Sequence, residues 1–394
     1  MRRIDVILAG FNGYGKFYAD TLIQNPHRLD YAFRAVIDPF LSEEGKAALT
    51  ALHVPYFDTL DAFYETGTAE LAIISAPIHL HKPMCETAAR NGSAVLCEKP
   101  AAARLCELLE MHEYETRYQK DIFIGFQWSF ADPILKLKRD LLRGEYGRVL
   151  SGKAIVLWNR DLSYYSRSTG WAGRMKSEDG AYVYDSIASN AAAHYLNNLL
   201  FLLGDSMDAA AEAAEIQADC RKANPIETFD TCAIKLRTVN GQALLFLASH
   251  AADRNIDPIF ELVCENAVIT CDFSREHGLL SARLPDGQAK HYGALNTLEQ
   301  ERQKIVRTIQ WLGGAPGAEK PVSTVMTTRP FASVIDYIFE NTEFKPFDRE
   351  VIFDQAANRY YVPNLSDDLM NCYNNHEMGG IHSVDADLPP IKND

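Results

Sequence analysis

Arg3-Ile4-Asp5-Val6-Ile7-Leu8-Ala9-Gly10-Phe11-Asn12-Gly13-Tyr14-Gly15-Lys16-Phe17-Tyr18 decides the fold of this chain. An apolar strand runs directly into closely spaced glycines, and a helix-compatible segment follows. Such a strand–turn–helix brings backbone N–H groups to a dinucleotide pyrophosphate. A second strand, Phe33–Asp38, ends in an acid 28 residues after Gly10. An acid there can accept hydrogen bonds from the adenosine ribose hydroxyls. The G-x-G-x-x-G pattern laid on Gly10 and Gly15 puts Asn12 where its middle glycine belongs. Asn tolerates a left-handed backbone, so the turn survives, and Gly13 beside it restores close approach to the ligand. The alternative is a tight strand-to-helix turn that holds nothing.

Outward from this turn, strand and helix patterns alternate. Helices are expected over 42–52, 59–65, 81–91 and 102–117, and strands over 71–75, 94–97 and 122–125. Short apolar runs of this kind between helices indicate a doubly wound parallel α/β sheet, here residues 1–125. The pattern then changes to longer strands over 150–158, 231–238, 242–248, 260–264 and 267–272. Gly241 and the Glu265-Asn266 pair sit where hairpin turns belong. Helices intervene over 133–143, 186–203, 297–312 and 328–341. Residues 126–345 therefore read as an α+β domain on one large, mostly antiparallel sheet with an open face. The tail, 346–394, is rich in Asn and Asp, with Gly379-Gly380 and Pro389-Pro390, and is expected to pack loosely or fray.

At 394 residues the chain is long enough for two cores. A net charge of −14 argues against nucleic acid or an anionic membrane as the main partner. The eight cysteines show no C-x-x-C spacing and read as buried, reduced thiols, which suits a cytoplasmic location. The histidines outside the positions discussed below show no metal-ligand spacing, so no metal is expected.

Further along stand Ser75-Ala76-Pro77-Ile78-His79-Leu80-His81 and then Cys97-Glu98-Lys99-Pro100. With the glycine turn and Asp38, this order resembles the Gfo/Idh/MocA oxidoreductases, which include inositol dehydrogenase and glucose–fructose oxidoreductase. The likeness continues through Gly125-Phe126-Gln127-Trp128, the Gly144–Gly147 turn and the helix ending at Gly204. It implies a Rossmann domain followed by an open-faced sheet domain. It implies hydride transfer between NAD(P) and a sugar, polyol or sugar derivative, and a homodimer or homotetramer formed through the open face. On this resemblance Gly10, Asn12, Gly13, Tyr14 and Gly15 match the pyrophosphate turn. Asp38 matches the ribose acid; with no Arg or Lys close behind it, NAD is favoured over NADP, whose 2′-phosphate the carboxylate would repel. Ser75, Pro77, His79 and His81 match the cofactor-lining loop after the fourth strand. Glu98 matches the nicotinamide-ribose contact and Lys99 the catalytic lysine.

Oxidation of an alcohol requires a base for the hydroxyl proton. Lys99 lies at a strand's C-terminal end, where open α/β sheets bind ligands. The family's Asp, with a His four residues on, has no single match here. Counting back from Gly204 gives His194 as the His and Asn190 in the Asp position; counting forward from Gly180 gives Asp185 and Ser189. The two registers differ by five residues, so the stretch carries an insertion or an altered helix start. His194 is taken as general acid/base beside Lys99, Asn190 as its orienting group, and Asp185 as an N-cap or substrate ligand. In the other reading, Asp185 only caps the helix and His194 is a satisfied core histidine. The aromatic and basic run over 158–184 includes Arg160, Arg167, Trp171, Arg174 and Tyr184. It suits a hydroxylated or anionic substrate, or else subunit packing, and Trp128 is placed against the same substrate. Three functions stay in view: a dehydrogenase or reductase, a non-catalytic NAD and sugar sensor, and a glycosidase that oxidises its sugar transiently.

Overall fold

The computed structural model describes residues 2–166 and 170–378. Strand β1 (Ile4–Ala9) is buried almost throughout. In chain order there follow α1 (Gly15–Gln24), β2 (Tyr31–Ile37), α2 (Glu43–Ala51), β3 (Tyr56–Phe57), α3 (Leu60–Tyr64) and β4 (Leu71–Ile74). Then come α4 (Ile78–Arg90), β5 (Ala94–Cys97), α5 (Leu105–Tyr118) and β6 (Ile122–Ile124). Every residue of β4 and β5 is buried, as expected of strands covered on both faces. The six strands pair in parallel in the order β3-β2-β1-β4-β5-β6. That order reverses between β1 and β4, which places the glycine turn after β1 at the sheet's switch point.

The second unit carries α6 (Asp132–Leu142), β7 (Val149–Leu157), α7 (Leu162–Ser166), α8 (Ala193–Leu202), β8 (Ala213–Lys222), β9 (Thr231–Thr238) and β10 (Ala243–Ser249). It continues with β11 (Ile256–Cys264), β12 (Val268–Asp272), β13 (Leu279–Arg283) and β14 (Ala289–Ala294). After these the chain forms α9 (Leu298–Leu312), α10 (Val325–Asn341), β15 (Lys345–Pro346), β16 (Ile352–Asp354), β17 (Arg359–Tyr361) and α11 (Leu365–Asn375). Nine strands make one sheet, β14-β13-β12-β11-β7-β10-β9-β8-β15. Only the β7–β10 and β8–β15 pairs are parallel. On one face Gly152 admits α8: a Cβ there would lie 2.8 Å from the side chains of Leu244 and Leu262 and 3.5 Å from Leu199.

Two expectations change. The first unit comprises residues 1–130 and 298–328, so α9 belongs to the parallel-sheet unit and not to the second domain. Its Ile305 and Ile309 join the core of Val6, Leu8, Tyr18, Phe123 and Phe130. The tail does not fray over its described part. Leu365, Leu369, Cys372 and Tyr373 pack on Ile155, Leu157, Leu245 and Leu247, so the face expected to stand open is covered across β7 and β10. The apolar residues of 365–373 fall on one side of a helix, and that periodicity outweighs the surrounding Asn and Asp. Gly379-Gly380, Pro389-Pro390 and Arg167 lie outside the described residues.

Seven of the eight cysteines are buried and all eight are unbridged, with Cys106 exposed. Among the described residues no helix is long and apolar enough to cross a membrane.

Candidate active site

In the first unit the glycine turn is built by close backbone approach. Gly10 has φ +89°, and a Cβ there would stand 2.1 Å from the Ser75 carbonyl oxygen. A Cβ on Gly15 would stand 2.1 Å from the Gly10 carbonyl oxygen. Neither position admits a side chain. Gly13 differs: its φ is +56° and a Cβ would meet nothing within 4 Å, so the space over it is open to a ligand. The left-handed residue is thus Gly13 and not Asn12, contrary to the sequence expectation. The Asn12 amide turns aside to donate to Asp38 Oδ2 at 3.2 Å and to the Phe40 carbonyl at 3.3 Å. Asp38 Oδ2 also accepts from the Phe11 N–H at 2.9 Å, and Oδ1 from the Phe40 N–H at 2.9 Å. Asn12 therefore helps to orient the Asp38 carboxylate. No side chain caps α1 at Tyr14. An uncapped helix start behind open glycine backbone fits an anionic pyrophosphate.

The strand ends of β4 and β5 supply the next residues. Glu98 is 7% exposed, and its N–H donates to the Ile74 carbonyl at 2.8 Å. Glu98 Oε1 accepts from Tyr18 Oη at 2.6 Å and from Lys304 Nζ at 2.5 Å. Glu98 Oε2 accepts from the Lys99 N–H at 3.1 Å. A Cβ at position 125 would lie 2.8 Å from Glu98 Oε1, so Gly125 makes room for the carboxylate. Burial raises the Glu98 carboxyl, but Lys304 and then Lys99 outweigh it and hold the group below its ordinary range. Burial, then Glu98, push the Tyr18 hydroxyl well up, so it stays a donor. The Lys99–Pro100 bond is cis, and Lys99 is half-buried beyond it.

His79 and His81 lie in the first turn of α4, not in a loop. The resemblance had His81 lining the cofactor; instead its ring is 1% exposed. Nδ1 stands 2.8 Å from the Pro100 carbonyl and Nε2 2.8 Å from that of Ala76. The ring ties the Ser75–Pro77 segment to the turn that bears Lys99. Burial pushes its pKa down, against those carbonyls and the Glu98 charge. Trp128, expected at the substrate, is 4% exposed in the one-turn helix Gln127–Phe130.

In the second unit the segment that gave two registers has an altered helix start. Ser186, not Asp185, is the helix cap, accepting from the Ser189 N–H at 3.1 Å. A π-helical turn, Ile187–Ala191, follows, and α8 starts only at Ala193. π turns take up an extra residue and recur at functional sites. Asp185 is 2% exposed; Oδ2 accepts from the Gly173 N–H at 2.6 Å and Oδ1 from Asn190 Nδ2 at 2.8 Å. Its own carbonyl accepts from Thr228 Oγ1 at 2.5 Å. Over residues 183–203 only Asn190, Ala191 and His194 escape burial. The buried Asp185 thus orients Asn190, and Asn190 and His194 are the polar groups this segment presents.

The aromatic loop divides as well. Arg160 is half-buried, with its guanidinium 5.1 Å from the Tyr164 ring and 5.8 Å from that of Trp158. Trp171 and Arg174 are also half-buried, and Arg174 Nη1 reaches Glu178 at 3.7 Å. Tyr184 is not a surface residue: it is 2% exposed, stacks on Phe339 at 4.3 Å and donates to Glu340 at 2.6 Å. Sequence reading also missed Lys304 and Tyr18. The available signal was a lysine in line with Ile305, Thr308 and Ile309 on the buried stripe of α9.

Comparison with known proteins agrees with the fold. Residues 4–126 match the GFO_IDH_MocA family, described as an oxidoreductase family with an NAD-binding Rossmann fold. The chain is 24% identical over 205 residues to 2,7-anhydro-N-acetylneuraminate hydratase of Escherichia coli (strain K12), covering 50% of this chain and 49% of that one. It thus spans about half the length of that curated relative. It is 22% identical over 276 residues to inositol 2-dehydrogenase of Rhizobium meliloti (strain 1021), covering 68% of this chain and 75% of that one. Among solved structures, the WlbA dehydrogenase of Bordetella pertussis in complex with NADH and UDP-GlcNAcA superposes with a TM-score of 0.69. That match is at 19% identity, over 86% of this chain and 95% of the other, and it shows the fold.

Proposed function

For a chain that belongs to the Gfo/Idh/MocA family of NAD-binding oxidoreductases, we propose an NAD-dependent dehydrogenase or reductase acting on a hydroxyl carbon of a sugar, polyol or sugar derivative. The observation that carries this is Lys99, fixed at the end of β5 by the Glu98 carboxylate, in the unit that also holds the glycine turn and Asp38. Gly10, Gly13 and Gly15 would admit the pyrophosphate to bare backbone. Asp38, already oriented by three donors, would accept from the adenosine ribose. Its charge favours NAD over NADP. A bound nicotinamide supplies the acceptor or donor of hydride.

Lys99 takes the hydroxyl proton when the alcohol is oxidised and returns it in the reverse direction. In the second unit the half-buried His194 is the candidate acid/base and Asn190, bonded to Asp185, the candidate hydroxyl-orienting group. Arg160, Trp171 and Arg174 contribute to the substrate end, whose donors and rings suit a hydroxylated or anionic ring. The buried, unbridged cysteines accord with a cytoplasmic protein. A homodimer or homotetramer would pair through surfaces other than the sheet centre that α11 covers.

A second reading follows from the E. coli relative, named as a hydratase of an anhydro sugar. On that reading the same base and cofactor act in a reaction without net redox change. The test is the near-UV absorbance of reduced nicotinamide with NAD and a panel of sugars, inositols, sugar acids and anhydro sugars. Wild type and Lys99→Met run side by side. NADH formed by the wild type alone supports the dehydrogenase. Product formed without NADH accumulation, again only by the wild type, supports the second reading. Equal activity in Lys99→Met removes both.

A further inference from the structure

Lys304 is completely buried, yet it belongs to α9, some 206 residues beyond the residue it pairs with. Its Nζ lies 2.5 Å from Glu98 Oε1 and 3.1 Å from Tyr14 Oη, over the rings of Tyr14 at 4.4 Å and Tyr18 at 4.8 Å. One ammonium group therefore joins the glycine turn, through Tyr14, to the turn that bears Lys99, through Glu98. A buried pair of this kind is weak evidence for stability alone, since an apolar pair of the same volume often does as well. Its position next to Lys99 asks for another account.

We propose that Lys304 is a positioning and charge-balancing residue for Lys99: it offsets the Glu98 carboxylate, so that Lys99 gives up its proton at a lower pH than it would beside an unpaired Glu98. The charges on the two sides of Glu98 feel each other, because Lys304 and Lys99 both hold its carboxyl down. By reciprocity, an unpaired Glu98 would hold Lys99 protonated, and the Lys304 charge itself repels a second cation. The other titratable groups facing Glu98 are Tyr14 just before α1, Tyr18 on α1, Glu301 on α9, His81 on α4 and Cys97 on β5. The two phenols and the thiol are pushed up and stay protonated, and burial favours a neutral His81. Glu301 is itself raised by burial, with Lys304 opposing. Among the described residues, Lys304 and Lys99 are the cations whose charges lower the Glu98 carboxyl.

This inference rests on the reading of Lys99 as the proton acceptor, but its test needs neither substrate nor cofactor. Trace labelling with acetic anhydride between about pH 6 and pH 11, read by peptide mass spectrometry, reports the pH at which Lys99 becomes reactive. Lys304→Met is expected to raise that midpoint by about one pH unit, and Glu98→Gln to lower it by a similar amount. Lys304→Arg keeps the charge and holds the midpoint near the wild-type value. The double variant Lys304→Met with Glu98→Gln also falls near wild type.

Opposite shifts from the two single variants cannot come from a loosened turn, which would send both towards an exposed lysine. Should Lys304→Met fail to fold, the double variant compared with Glu98→Gln decides, with the midpoint higher in the double. Shifts of the same sign in both singles, or equal midpoints in the double variant and Glu98→Gln, would overturn the proposal. If the opposite shifts appear and no substrate is ever turned over, the charge balance stands and the dehydrogenase reading falls.

Discussion

The two units present their chemistry by different means. In the first, a bare backbone turn, a strand end and a buried ion pair hold Lys99 and leave room for a pyrophosphate. In the second, two side chains emerge from a helix start that is otherwise buried, and a π turn sets where they emerge. Backbone turns of the first kind tolerate almost no substitution. Side-chain arrays of the second kind can slide in register while the helix behind them is preserved. The first unit should therefore fail sharply when changed, and the second by degrees.

The largest effect tests the first unit's chemistry. Lys99→Met should lower turnover by about 10³-fold, with NADH affinity by fluorescence titration nearly unchanged. Loss of binding in step with turnover would make Lys99 a cofactor ligand and no more. Next comes the turn itself. Gly10→Ala should weaken NAD binding by about 100-fold or more and lower the melting temperature, since its Cβ would press on the Ser75 carbonyl. Gly13→Ala meets open space and should cost only about 1 kcal/mol in stability, so any larger loss of affinity reports the ligand in that space.

The second unit is probed by a pair of changes. Asp185→Ala leaves the Gly173 N–H and the Asn190 amide without their buried acceptor and should cost about 3 kcal/mol of stability, measured by urea denaturation. Asn190→Ala takes one donor from the buried Asp185 carboxylate and should cost about 1 kcal/mol of stability while lowering activity by about 10-fold. Reversed outcomes, an inactive but stable Asp185 variant above all, would put the acid and not the amide at the substrate.

The smallest effect concerns His81. Its folded pKa is lowered by burial, so the unfolded chain takes up a proton that the folded chain refuses. Stability is then full above about pH 6.5 and declines as pH falls through that value. His81→Gln should flatten this slope between about pH 7 and pH 5, in thermal melts at matched ionic strength.

How legible each half was in the sequence follows from the same contrast. The glycine turn, Asp38 and Glu98-Lys99-Pro100 are contiguous or nearly so, and short-range geometry dictates their spacing. The His194 segment gave two registers five residues apart, and the π turn ahead of α8 interrupts the four-residue repeat on which such counting depends. Tyr184 read as a substrate residue because aromatic composition carries no information about which way a ring faces, and Phe339 takes it into the core. His81 read as a cofactor contact because a motif gives position and not hydrogen-bond partners. Lys304 lay too far along the chain for any local pattern to connect it with Glu98.

That distance has a consequence for how the protein is made. The segment that completes the first unit, 298–328, is translated only after strands β7 to β14 of the second. A nascent chain that has emerged through residue 130 holds Glu98 without Lys304, its buried partner, and the core of Leu8, Tyr18 and Phe130 has no Ile305 or Ile309 to close over it. Domains usually fold in order from the N-terminus as synthesis proceeds. Here the N-terminal one lacks its last segment until strands β7 to β14 of the other unit have been made.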